Sequence, residues 1–95
     1  MRLQRLVRKA VAKFSNGKYS SYAVDDWGNE ICANFNFDGH VYFVRLIEDT
    51  AKGWSISVGW SEITNCWPAW FQEKCLFVVV GHIVACLEML KDTLP

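Results

Sequence analysis

Cys75, His82 and Cys86 recur at spacings that bring them to one side of a helix, with Cys66 a little upstream. Thiolates and imidazole are ligands that zinc prefers, and a cysteine beside a histidine is also the pairing that activates a sulfur nucleophile. Zinc needs about four ligands converging tetrahedrally, and no CxxC pair occurs here to supply two of them. Only His82 and Cys86 stand at i, i+4, and the face that all three share is also the apolar one. Small buried thiols and a hydrogen-bonded core histidine account for the pattern, so no metal is expected. A core position also denies a thiolate the access that nucleophilic catalysis needs. Asp25 and Asp26 are adjacent carboxylates, but neighbours along a strand point to opposite faces and do not make an acid–base pair. There is no Gly-rich phosphate loop and no Gx-Ser-xG elbow. The expectation is a non-enzyme without a cofactor, whose function lies in its surfaces.

The elements that carry those surfaces follow from composition and period. Ninety-five residues, 52% of them hydrophobic, support one domain over 1–95 and exclude a disordered chain. Ten basic and ten acidic residues cancel, so no net field draws in polyanions. Their placement is uneven, because Arg2, Arg5, Arg8, Lys9, Lys13 and Lys18 all precede the first acid, Asp25. The N-terminus lacks the continuous apolar core of a signal peptide, and four unpaired cysteines suit a reducing compartment, so a cytoplasmic location is expected. The longest apolar run, Cys75 to Leu87, contains Gly81 and His82. It is too short for a membrane span and reads as a buried helix.

Leu3, Leu6, Val7, Ala10, Val11 and Phe14 repeat at the helical period, with the basic residues opposite, and Asn16-Gly17 supplies the stop. From Tyr19 to about Ile63 the period becomes two. Asp38-Gly39 suits a type I′ hairpin, pairing Phe37 with His40, Phe35 with Tyr42, Ala33 with Val44 and Ile31 with Leu46. A loop at Asp49-Thr50-Ala51 would oppose Glu48 to Lys52 and Leu46 to Trp54. A turn at Trp27-Gly28 would oppose Val24 to Ile31 and Tyr22 to Ala33. After Pro68 the helical period returns, grouping Phe71, Cys75, Val78, Val79, His82, Cys86, Met89 and Leu90 on one side. The fold expected is α+β: a four-stranded antiparallel meander with an N-terminal and a C-terminal helix on one face, in the order α–β–β–β–β–α. This order resembles in outline the α–β–β–β–α of double-stranded-RNA-binding domains. It has one strand more, its second helix lacks their basic N-terminal cluster, and no residue role carries over.

Three surfaces remain free on that plan. The open sheet face carries Val41, Phe43, Arg45 and Ile47, with Phe43 between Asn34 and Ser57 and Arg45 between Cys32 and Ser55. An aromatic flanked by such residues can dock a partner chain or stack a base. On the second helix, Phe77, Gly81, Val84 and Ala85 form a stripe whose small members let another helix approach, which suggests a protein partner or a homodimer. The first helix offers Arg2, Arg5, Arg8, Lys9 and Lys13 to nucleic-acid phosphates. The leading expectation is a protein-binding inhibitor or adaptor. Small motif-free domains of this sort are common among virus- or mobile-element-encoded inhibitors of host defences. Nucleic-acid binding is the alternative.

Overall fold

The first helical segment forms α1, Leu3–Ser15, in a computed structural model that describes residues 3–49, 51, 53–60, 69–71 and 77–94. Its apolar stripe buries Leu6, Val7, Ala10, Val11 and Phe14, while Arg5, Arg8, Lys9 and Lys13 face water. The helix stops because Asn16 takes a left-handed conformation, φ 54°. Gly17 N then donates to Ala12 O at 2.9 Å and Asn16 N to Lys13 O at 3.4 Å. These are the paired bonds of a Schellman cap, which satisfy carbonyls the helix end leaves open.

Four long antiparallel strands follow as a meander: β1 Ser20–Asp26, β2 Glu30–Phe37, β3 His40–Asp49 and β4 Gly53–Trp60. The β2–β3 hairpin has the expected register, from Phe37↔His40 through Phe35↔Tyr42 and Ala33↔Val44 to Ile31↔Leu46. Asp38 and Gly39 both adopt positive φ, 52° and 78°, as a type I′ turn requires.

The other two registers differ from expectation by two residues. Glu48 pairs with Trp54, Leu46 with Ile56 and Tyr42 with Trp60, and the last pair of the ladder is Asp49↔Gly53. Gly53, at φ 94°, is the residue that accepts a left-handed backbone here, so the chain reverses one position later than the Glu48–Lys52 charge pair would require. On the other side Val24 pairs with Ala33 and Asp26 with Ile31. The turn is Trp27–Glu30, closed by Trp27 N donating to Glu30 O at 2.8 Å, with Gly28 at φ 85°. A bulge then lies between Ser20 and Ala23, with Ser21 at φ 54°. Tyr22 shares the core-facing side of β1 with Val24, two residues on, and the bulge changes the phase of the strand only beyond it, at Ser20. A shift of two keeps every side chain on its face, so the apolar face survives both corrections.

A fifth strand, β5 Ala69–Phe71, was not expected. It pairs antiparallel with β4 through Trp54↔Phe71, Ser55↔Trp70 and Ile56↔Ala69, extending the sheet order to β1-β2-β3-β4-β5. Phe71, expected on the second helix, therefore lies in a strand.

The second helix, α2, runs from Phe77 to Lys91. It packs on α1 and β4, and α1 packs on β2, so both helices share one face of the sheet. Between the layers lie Ile31, Ala33, Phe35, Tyr42, Val44, Leu46, Trp54, Ile56, Val58 and Trp60, all buried. Phe14 of α1 closes one end of this core, edge-on to Phe35, Phe37 and Tyr42 at 6.2, 5.3 and 5.4 Å between centroids. Phe35 and Tyr42 stack at 5.3 Å, an offset arrangement that the ring quadrupoles favour. No helix among the described residues is long and apolar enough to cross a membrane.

Candidate functional site

Of the residues in α2, Glu88 and Lys91 alone carry full charge, and apolar residues occupy nearly its whole circumference. Such a helix is normally buried on all sides. Here, among the described residues, Val79, Ile83, Cys86, Leu87 and Leu90 face the core, with Val80 and Val84 half-buried beside them. Val78 and Met89, expected in the core, stand 46% and 56% exposed. Gly81, His82 and Ala85 are exposed with them. Val78, Gly81, Ala85 and Met89 follow one another at i, i+3, i+7 and i+11, so they form a single outward stripe. The helix is rotated from expectation, and Ile83 and Leu87 take the inward places that had been assigned to Val78, His82 and Met89. Val84, placed on the outward stripe by the sequence, is half-buried against the core. Phe77 begins the helix, and its side chain is outside the described residues.

Gly81 adds a second peculiarity. Its backbone is helical and a methyl group built on it meets no atom within 4 Å. Glycine in a helix interior costs stability relative to alanine, and nothing within the described fold calls for it here.

The open sheet face is less available than its composition implied. Val41, Phe43 and Ile47 are each half-buried. Phe43 lies between Asn34 and Gly59, and Arg45 between Cys32 and Ser57, because of the shifted β3–β4 register. Arg45 is engaged: its Nε and Nη2 both reach Glu30 Oε2, at 2.8 and 2.7 Å. Ser55 on the same face is buried.

The thiols and the imidazole separate. Cys86 is buried whereas His82, one turn earlier, is exposed, so the expected core histidine is not in the core. Burial raises the pKa of Cys86. Burial also raises that of Cys32, against the opposing Arg45 guanidinium, with Glu30 and Asp25 adding to the rise. Both groups are free and held as thiols at neutral pH. Cys66 and Cys75 lie outside the described residues. Among the described residues, no three His, Cys, Asp or Glu side chains gather as metal ligands would.

The basic stripe of α1 stands largely alone. Among the described residues the ion pair is Arg45–Glu30, and Arg5, Arg8, Lys9 and Lys13 make none. Arg2 lies outside the described residues. Toward β1, Gln4, Arg5 and Arg8 meet Tyr22 and Val24 around a cleft of about 190 Å³. The Arg8 guanidinium carbon sits 5.4 Å from the centroid of the Tyr22 ring, and its Nε donates to Tyr19 Oη at 3.5 Å. Sequence reasoning missed this cleft, because its two walls come from a helix and an edge strand with no shared pattern. It also missed Val78 and Met89, although their spacing from Gly81 and Ala85 was visible.

Comparison of the chain with protein-family models, with curated proteins and with solved structures finds no match in any of the three.

Proposed function

We propose that this chain is a small non-enzymatic protein-binding module, acting as an inhibitor or adaptor, and that the outer stripe of α2 is its principal contact. The observation that carries the reading is an apolar helix with one side uncovered, Val78 and Met89 being 46% and 56% exposed. Exposed apolar side chains arranged in a row favour association, since covering them removes their surface from water. Gly81 and Ala85, at the middle of the stripe, allow a partner backbone to come close. Val41, Phe43, Arg45 and Ile47 on the open sheet face form a secondary surface in this reading, weakened by their partial burial and by the Arg45–Glu30 pair. An inhibitor of a host defence system is one form such a module takes, with a cytoplasmic partner. A homodimer through α2 is the alternative use of the same stripe.

Affinity capture from nuclease-treated host lysate tests the reading with three baits: the native chain, a Val78→Asp/Met89→Asp variant and a Phe43→Asp variant. The expected result is a protein retained by the native bait and by Phe43→Asp, and lost from the α2 variant. A complex that survives both sets of changes would eliminate these surfaces. Light scattering of the chain alone distinguishes the homodimer.

Nucleic-acid binding through Arg5, Arg8, Lys9 and Lys13 is the second reading, favoured by their lack of carboxylate partners among the described residues. It predicts affinity that falls steeply with salt.

A further inference from the structure

We propose that the cleft between α1 and β1 is a binding site for a phosphate group, separate from the α2 stripe and sharing no residue with it. The cleft is lined by Gln4, Arg5, Arg8, Tyr22 and Val24. Guanidinium groups donate hydrogen bonds and accept none, and two of them on one wall select a ligand that is negative and rich in acceptors. Arg8 is exposed and, among the described residues, has no carboxylate partner, so its outer nitrogens are available. The Tyr22 hydroxyl is withdrawn from solvent and has no hydrogen-bond partner among the described residues. Burial raises its pKa, so the phenol stays protonated as a donor. An unpartnered buried hydroxyl is costly, and an anion oxygen drawn in beside Arg8 would supply the missing acceptor.

The nearby carboxylate is turned to other donors. Asp26, at the end of β1, accepts from Gly28 N at 2.8 Å through one oxygen and from Gln4 Nε2 at 3.5 Å through the other. It does not line the cleft. The cleft has a volume of about 190 Å³ and opens to solvent. That accommodates a phosphate and a small attached group against Val24 and the Tyr22 ring. The shared chemistry is the phosphate. It comes either from a small phosphorylated molecule or from a nucleic-acid backbone, whose neighbouring phosphates would continue along Lys9 and Lys13.

The test is a titration of the full chain with inorganic phosphate, against chloride at constant ionic strength, followed by amide chemical shifts. Saturable shifts around Arg5, Arg8 and Tyr22–Val24 are expected. Arg8→Gln, at an exposed side chain, should weaken binding about tenfold or more, the factor set by about 1.4 kcal/mol. Tyr22→Phe should weaken it by a smaller factor. Lys13→Gln, on the same helix but away from the cleft, should change it by less than about twofold. No saturable response to phosphate overturns the proposal, as does an equal loss in Arg8→Gln and Lys13→Gln, which would mean diffuse charge attraction. A short single-stranded oligonucleotide forms the second arm. Tighter binding than inorganic phosphate, lost with Arg8→Gln, assigns the site to a nucleic-acid backbone; no gain assigns it to a small phosphorylated ligand.

Discussion

Replacing Gly81 by alanine should make the protein more stable and its contact with a partner weaker. The stability half follows from the local geometry. A methyl group at this position meets nothing within 4 Å and the backbone is helical, so the substitution introduces neither clash nor strain. Alanine exceeds glycine by about 0.8–1.0 kcal/mol in a helix interior, because glycine has more backbone freedom to lose on folding. The residue is exposed, so no cavity term modifies that figure. For a domain of this size a gain of about 1 kcal/mol raises Tm by roughly 4–8 °C. Urea unfolding monitored by far-ultraviolet circular dichroism reads the difference directly, with an unchanged m-value showing that the same surface unfolds. The binding half follows from the stripe: a methyl group between closely approaching backbones holds them apart, and a larger residue such as Gly81→Leu does so more. Capture of the partner by the native, Gly81→Ala and Gly81→Leu chains should decline in that order. A loss of stability in Gly81→Ala refutes the account of an open, unstrained helical site. Higher stability with undiminished capture removes Gly81 from the contact and leaves its presence unexplained.

The remaining predictions concern the uncovered stripe and the core. Val78→Asp/Met89→Asp should change folding stability much less than a core truncation, since surface substitutions usually stay within about 0.5 kcal/mol per site, while abolishing capture. A large drop in its urea midpoint would instead place these side chains in the core. Tyr42 is fully buried, and neither its hydroxyl nor the Trp60 indole beside it makes a hydrogen bond of good geometry among the described residues, although the indole N–H is near enough to the phenol oxygen to hold its pKa down slightly. Tyr42→Phe should therefore leave stability unchanged or raise it by about 1 kcal/mol, and a loss of that size would show that the hydroxyl is bonded. Burial raises the pKa of Tyr42, opposed by Trp60, and that of Tyr22, opposed by Arg8, above the ordinary 10.0. It likewise raises Cys32 and Cys86 above 9.0. Above pH 9.0 the unfolded chain thus releases these protons before the folded one, so stability falls as pH rises through that window and is unaffected by these groups below it. Urea midpoints measured from neutral pH upward check the sign, and a rise in stability above pH 9.0 contradicts it.

Much of the architecture was legible because period and turn chemistry are local. The alternation from Ile31 to Leu46 and the left-handed preference of Asp38-Gly39 together admit one register, and the structure has that register. The α1 stripe and its Asn16-Gly17 cap were readable for the same reason. The candidate contact surface was only partly readable. Gly81 and Ala85 are outward as expected, whereas Val84 packs inward and Val78, His82 and Met89 do not.

What the amino-acid order determined on its own is whatever a few neighbouring residues can specify: helix or strand, which side of each strand is apolar, and the sharpest turn. Contacts between distant segments decided the rest. A strand displaced by two residues presents the same face, so alternation cannot distinguish the observed β3–β4 pairing from the one expected. Three residues are too few to show a period, so β5 becomes visible only when it lies against β4. A helix apolar all round has no preferred side of its own, and the packing of α2 against α1 and β4 chose which residues stay in water.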